Sequence, residues 1–142
     1  MANIKLKSDE NFDAAILLVS NKMYNASIHC SYYSCFQLLK YTLKLCGINY
    51  DDQKNNYTSY CNNFHGEGKK LGSHDYLIQE FIKRSANKDM PSTISINRYI
   101  SYLKALRNKA DYNDEIVNDS DSIECSKQAK EARILIIKIY DL

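Results

Sequence analysis

Apolar residues recur at steps of three and four along most of the chain, which is the spacing of one helix face. Ser8 or Asp9 is placed to cap a first helix. Its apolar stripe consists of Phe12, Ala15, Ile16, Val19 and Met23. A second helix is predicted from Asn25 to Cys46, with Gly47 placed to end it. Because this helix is apolar over much of its circumference, we expect it in the centre of a bundle.

Three further helices follow from the same spacing. The third is predicted from about His74 to Arg84 and the fourth from about Ser92 to Tyr112. The apolar stripe of the fourth consists of Ile96, Tyr99, Ile100, Leu103, Leu106 and Ala110. Asp121 and Glu124 have the spacing of a capping box, which would start a last helix at that point.

The polar segments between these helices complete the predicted architecture. Residues 48–73 are rich in Asn, Asp, Lys, Gly and Tyr, so this long segment is expected to be functional or partly ordered by short helical turns. The acidic segment 113–119 is expected to be a turn. No period-two alternation is long enough for a sheet. We therefore predict one all-α domain over residues 1–142, an up-and-down bundle of about five helices.

Charge is distributed unevenly, although its total is small. The net charge of +2 excludes a polybasic nucleic-acid-binding protein. Residues 69–109 contain nine Lys or Arg against three Asp or Glu, whereas residues 111–124 contain six acids and no base. This pattern predicts a basic surface followed by an acidic loop. A basic surface of this kind is either simply solvated or attracts phosphate, and the sequence leaves both interpretations open.

The cysteines and histidines limit the cellular compartment and the kinds of metal site that the sequence allows. The five cysteines are odd in number, form no Cys-x-x-Cys pair and follow no recognisable signal peptide. We therefore expect a cytoplasmic protein whose thiols act as small core residues. His29, His65 and His74 lack ligand spacing, so neither a metal nor another cofactor is expected. No apolar run approaches the ~18 residues of a membrane span.

Polar groups are concentrated where the fourth helix should end. The group comprises Lys104, Arg107, Asn108, Lys109, Asp111 and Tyr112. Arginine offers a planar fork of donors that fits a phosphate. Arg107 and Asn108, with Lys104 and Lys109, are therefore candidate ligands of a phosphate, a nucleotide or an RNA backbone.

Residues 107–112, Arg-Asn-Lys-Ala-Asp-Tyr, resemble the signature of HEPN domains, which are helical bundles common in prokaryotic toxin–antitoxin and defence systems. That signature is an arginine, a polar residue and, a few residues later, a histidine. Arg107 and Asn108 match it, and Tyr112 stands where the histidine falls. Ser-Tyr-Tyr-Ser at 31–34 is similar to a pattern of the same family. The resemblance implies a homodimer with facing motifs and, in many systems, a nucleotidyltransferase partner protein.

The missing histidine bears on catalysis. Cleavage of RNA by its 2′-hydroxyl needs a base, an acid and a cation, and histidine serves the first two near neutral pH. A tyrosine side chain, with an ordinary pKa of ~10, is a poor base at pH 7. Among the histidines, we consider His65 and His74 as replacements, against a simpler interpretation as loop and helix-cap residues.

Helix geometry constrains the motif further. Arg107 and Tyr112 are five residues apart, so on an ideal helix they diverge by roughly 140°. They can meet only where the helix ends or bulges, or a second subunit must supply the partner. A purely structural alternative pairs Arg107 with Asp111 across one turn and packs Tyr112 on the core.

Three functions remain open. The first is a non-catalytic module that binds phosphate, nucleotide or RNA through Arg107 and Asn108. The second is a divergent metal-independent endoribonuclease, in which Arg107 stabilises phosphate charge and Asn108 orients the substrate. Asp111, Tyr112 or a loop histidine would then transfer protons. The third is a structural module whose dimer surface is its function.

Overall fold

The computed structural model describes residues 3–112 and 114–142, which form six α-helices. These are α1 (Ile4–Ser20), α2 (Tyr24–Leu45), α3 (Tyr50–Asn62), α4 (Ser73–Ala86), α5 (Met90–Tyr112) and α6 (Asp119–Tyr140). The described residues contain no strand, so the predicted all-α bundle is confirmed. The predicted count of five is wrong, because a further helix lies within residues 48–73.

Helix α2 is the central element, in contact with α1, α4, α5 and α6. Its buried side chains face several neighbours at once and include Ile28, Tyr32, Cys35, Leu38, Leu39 and Leu43. Each large apolar side chain removed from water contributes roughly 1.5–3 kcal/mol. Gly47 follows the helix end with a φ of 93°, a left-handed conformation that favours glycine, as the sequence predicted.

A buried arginine joins α1, α2 and α6. Arg133 of α6 donates to Ser8 Oγ and, at 3.0 Å, to the carbonyl oxygen of Ser34, and it forms an ion pair with Asp9. Burial raises the pKa of Asp9, but hydrogen bonds from Lys5 and Arg133 outweigh it and keep that pKa below its usual value. The Asp9 carboxylate, the Ser8 hydroxyl and the Ser34 carbonyl oxygen thus surround the guanidinium.

These contacts explain why the predicted start of α1 is wrong. Ser8 and Asp9 lie inside α1, where they bind Arg133 and cannot act as caps. The cap is Asn3, whose side chain accepts a hydrogen bond from the Leu6 amide at 3.1 Å.

Residues 48–73 were expected to be functional or partly ordered by short helical turns, and they contain the full helix α3. This helix begins with a capping box: Asn49 Oδ1 accepts from the Asp52 amide at 2.8 Å, and Asp52 accepts from the Asn49 amide at 3.2 Å. Of its side chains, only Gln53 is buried. A helix that buries one polar residue has no apolar periodicity, so sequence spacing could not reveal it.

The last helix begins earlier than predicted. Asn118 is its cap and accepts from the Asp121 amide at 2.8 Å, so the predicted Asp121–Glu124 capping box is wrong. Residues 114–118 connect α5 to α6 where a turn was expected, while residue 113 of that prediction lies outside the described residues. Val117 of this connection is buried in the core.

The structure also bears on the predictions about the cysteines and about membrane spans. All five cysteines are free, and Cys35 and Cys125 are buried in the core. Over residues 3–112 and 114–142, the helices are too short or too polar to cross a membrane.

The orientation of α6 on the core predicts that two nearby isoleucines contribute unequally to the free energy of unfolding. Ile136 is fully buried, whereas Ile134 is 48% exposed. Ile136→Ala should lower the free energy of unfolding by about 2–5 kcal/mol, because it leaves a cavity in the core. Ile134→Ala, the matched control, should change it by less than about 1 kcal/mol. Chemical denaturation measures both, and equal losses would contradict this orientation of α6.

Candidate functional site

The predicted motif borders a cleft of about 320 Å³ between α2, α4 and α5, here called the Arg107 cleft. Its walls are Tyr33 of α2, residues 72–75 at the start of α4, and Lys104, Arg107 and Tyr112 of α5. Three of the six predicted site residues therefore line one open cleft. They are joined there by residues of α2 and α4 that are distant in sequence.

Arg107 lies at the base of this cleft and is only 8% exposed. Its guanidinium carbon is 4.7, 5.7 and 5.5 Å from the ring centres of Tyr32, Tyr33 and Tyr112. One terminal nitrogen donates to Tyr33 Oη at 3.1 Å, and the other to Asn108 Oδ1 at 3.2 Å. The Nε atom is buried and has no partner among the described residues. Aromatic faces and neutral oxygens therefore surround the charge.

Arg133, the other buried arginine described above, differs from Arg107 in whether a carboxylate offsets its charge. Arg133 is also 8% exposed, but it is neutralised by Asp9. Arg107 makes no ion pair with a carboxylate in the part of the chain that the structure describes. A buried charge is costly unless it is paired, and the charge of Arg107 is not offset by a carboxylate as that of Arg133 is.

The opposite wall of the cleft is the N-terminus of α4. Gly72 is the cap residue and offers no side-chain hydrogen bond to the first turn. The first intrahelical bond runs from the Tyr76 amide to the Gly72 carbonyl, so the amides of residues 73–75 precede the helical ladder. Such amides, with the positive end of the helix dipole, favour an anion.

His74 sits between the cleft and the core. Its ring stacks on Phe36 with centroids 4.0 Å apart, and its Nδ1 lies 2.9 Å from Tyr32 Oη. Burial, reinforced by the charges of Arg107 and Lys104, lowers the pKa of His74 to about 4. The imidazole is therefore neutral at pH 7. Burial also raises the pKa of Tyr32, so the hydrogen bond between them joins two neutral groups.

A second histidine lies on the other side of Tyr33. His29 Nδ1 is 2.9 Å from a carboxylate oxygen of Asp111, and its ring centroid is 4.6 Å from that of Tyr33. Asp111 thus pairs with His29, and the alternative pairing with Arg107 is not seen. Sequence analysis missed His29 as a site residue, because the contact spans 82 positions and no local spacing signals it.

The remaining predicted residues separate into distinct environments. Lys104 lines the cleft but forms an ion pair with Asp75, which offsets its charge there. Lys109 Nζ lies 3.6 Å from Glu115 Oε2 in the connection and 3.9 Å from Asp121 Oδ2 in the first turn of α6, so these two acids offset its charge. Lys109 does not line the cleft. Asn108 is exposed and serves as an acceptor for Arg107.

The two ends of the motif do meet, in spite of their spacing. The helix ends at Tyr112, whose ring lies 5.5 Å from the Arg107 guanidinium. Tyr112 is 71% exposed, so it stands at the rim of the cleft and is not packed on the core. Of the two replacement histidines considered, His74 lines the cleft, whereas His65 lines a separate cavity beside Tyr60 and Phe64.

No family model, curated protein or solved structure matches the chain.

The lowered pKa of His74 predicts a pH dependence of stability. Between its ordinary value of 6.5 and about 4, the unfolded chain takes up a proton on this residue and the folded chain does not. The free energy of unfolding should therefore fall as the pH decreases through this window. Denaturation of His74→Gln beside the wild type measures the effect, since the variant should lose less stability on acidification. Parallel profiles between pH 6.5 and 4 would contradict a buried neutral His74.

Proposed function

We propose that this chain is a non-catalytic, HEPN-like binding module that holds the phosphate of a nucleotide or of an RNA backbone at Arg107. One observation carries the proposal: Arg107 is a buried cation without a carboxylate, and it faces the uncapped N-terminus of α4 across an open cleft. Both positive features border the same cleft, and Asp75, the carboxylate that lines it, is ion-paired with Lys104 and not with Arg107.

The cleft offers donors of several kinds to a phosphate. The Arg107 guanidinium supplies charge and a planar fork. The amides of residues 73–75 supply uncharged donors along the positive end of a helix dipole. His74 lines the cleft from α4 as a neutral imidazole, and Tyr33 lines it from α2. Because Asp75 is held by Lys104, its carboxylate repels a bound anion less than a free carboxylate would.

The biological setting of the proposal rests on the resemblance of residues 107–112 and 31–34 to HEPN domains. By this resemblance, the chain belongs in our proposal to a toxin–antitoxin or defence system of the prokaryotic cytoplasm, with a nucleotidyltransferase as a partner protein. The free thiols support a reducing compartment. Formation of a homodimer is part of the same proposal. Light scattering should then give the mass of a dimer, and a monomer mass would contradict it.

The binding proposal predicts a selective effect of Arg107. Arg107→Ala should weaken binding of inorganic phosphate, nucleoside monophosphates or short single-stranded RNA roughly tenfold to hundredfold, because a charge-assisted contact is lost. Arg98→Ala removes the same charge from the exposed face of the same helix and should leave affinity nearly unchanged. Titration calorimetry at fixed salt measures both, with circular dichroism to establish folding. Absent binding would favour the purely structural dimeric module, and equal binding by both folded variants would contradict a site at Arg107.

A second function, metal-independent RNA cleavage, is favoured by two histidines that contact Tyr33, the hydrogen-bond partner of Arg107. His74 lines the cleft and is neutral at pH 7, so it has a site for a proton, but its pKa of about 4 makes it a weak base. His29 is oriented by Asp111 and touches Tyr33, which is hydrogen-bonded to Arg107. Either could supply the proton transfer that the tyrosine at position 112 does not.

Cleavage of RNA in excess chelator separates the two functions. A binding module leaves single-stranded RNA intact. A ribonuclease cleaves it, loses the activity in Arg107→Ala and retains it in Arg98→Ala. His74→Gln and His29→Gln then identify the base, since only the histidine that transfers the proton should lower the rate by roughly 100-fold or more. Activity that survives in folded Arg107→Ala protein would point to a contaminating nuclease.

A further inference from the structure

A second cavity, of about 430 Å³, lies between α2, α3 and α4, and its size is in the range of small-molecule sites. It is lined by residues of three helices: Phe36 and Lys40 of α2, then Tyr50, Asp51, Gln53, Lys54 and Tyr57 of α3, and Ser73, His74 and Leu77 of α4. Ser73 and His74, in the first turn of α4, line both this cavity and the Arg107 cleft. The two spaces are thus neighbours on either side of one turn of helix.

The aromatic part of the cavity wall suits a flat, uncharged ring, while the charged residues Lys40, Asp51 and Lys54 line the remainder. His74 lies almost parallel to Phe36, with an angle of 14° between their planes, and Tyr57 contributes a ring from α3. Since the imidazole is neutral at pH 7, this wall is aromatic without a charge. Aromatic side chains bind nucleobases by stacking, which is tolerant of base identity.

Unpaired polar atoms behind the cavity wall point to a ligand with donors. Gln53 is 3% exposed, and its amide nitrogen donates to the carbonyl oxygens of Lys40 at 3.2 Å and Ile48 at 3.0 Å. These two bonds fix the amide, so Oε1 is left facing away from both carbonyls. Neither Gln53 Oε1 nor Tyr50 Oη has a hydrogen-bond partner among the described residues. Both atoms are closed to solvent, so a donor reaches them only as the wall opens to admit it.

We propose that this cavity is the nucleobase subsite of a nucleoside phosphate whose phosphate lies in the Arg107 cleft. The inference rests on the proposed function, and it specifies the ligand: a base in the α2–α3–α4 cavity, a ribose across Ser73 and His74, and a phosphate at Arg107. An amino or ring N–H group of the base supplies the missing donor to Gln53. The nucleotide is either free or part of a single-stranded RNA.

The test compares ligands that differ by the base. Inorganic phosphate, ribose 5-phosphate, the four nucleoside monophosphates and a short oligoribonucleotide are titrated at one salt concentration. At least one monophosphate should bind about tenfold or more tightly than ribose 5-phosphate, the gain that base stacking provides. Tighter binding of the oligonucleotide identifies RNA as the source, and a preference for the monophosphate identifies a free nucleotide. Equal binding of ribose 5-phosphate and every monophosphate would overturn the subsite.

A matched pair of variants places the base. Tyr57→Leu removes a ring from the cavity, whereas Tyr57→Phe keeps the ring and removes only the hydroxyl that donates to the Leu71 carbonyl. The leucine variant should lose the advantage of the monophosphate and keep its affinity for ribose 5-phosphate. The phenylalanine variant should keep both. A monophosphate advantage that persists in folded Tyr57→Leu protein would contradict stacking at this wall.

Two controls separate failure of the subsite from failure of the proposed function. Arg107→Ala should weaken every phosphate compound, whether or not it carries a base. If no compound binds the wild type, the phosphate site itself is absent. If Tyr57→Leu fails to fold, saturation-transfer NMR on wild-type protein still decides the point. The base protons of the nucleotide should then receive more saturation than the ribose protons, and the reverse would contradict a buried base.

Discussion

The enclosure of α2 by four other helices is the constraint on which the rest of the structure depends. A helix with little access to water must satisfy most of its polar groups internally, and Ser27 and Ser34 do so at close range. Ser27 Oγ donates to the Ala15 carbonyl at 2.8 Å, while the Ser34 carbonyl accepts from Arg133. On another side of the same helix, Tyr32 and Tyr33 surround Arg107. The element that organises the core therefore also supplies the floor of the candidate site.

Two arginines with equal burial illustrate how a fold and a site differ in their electrostatics. Arg133 is compensated within the chain, and its contacts fasten α1 and α2 to α6. Arg107 is held in place by rings and neutral oxygens, which orient the guanidinium without cancelling its charge. Rigid placement of an uncompensated charge is what an anion site needs, since the geometry is set before a ligand arrives. The acids beyond α5, Glu115 and Asp121, offset the charge of Lys109 and leave Arg107 untouched.

Sequence reasoning succeeded where one face of a helix is apolar and failed where it is not. The spacing of apolar residues located α2, α5 and most of α6, because those helices bury apolar stripes. Helix α3 buries only Gln53, so the sequence indicated no more than short helical turns in that segment. Short-range motifs placed Arg107 in a cleft, but they could not place His29 beside Asp111 or separate Lys109 from the cleft. Those outcomes depend on how distant helices meet, which local spacing does not encode.

The sparse packing of α3 has a consequence for the energetics of the cavity that it encloses. Its main helical neighbour is α4, and its buried link to α2 is the Gln53 amide on the Lys40 carbonyl. Segments with few buried contacts open locally at a lower free energy than the global unfolding of the core. The amides of α3 should therefore exchange with solvent faster than those of α2. A molecule bound in the cavity would hold α3 in place and slow that exchange. Ordering α3 costs conformational entropy, which would offset part of the favourable interaction energy between the molecule and the protein.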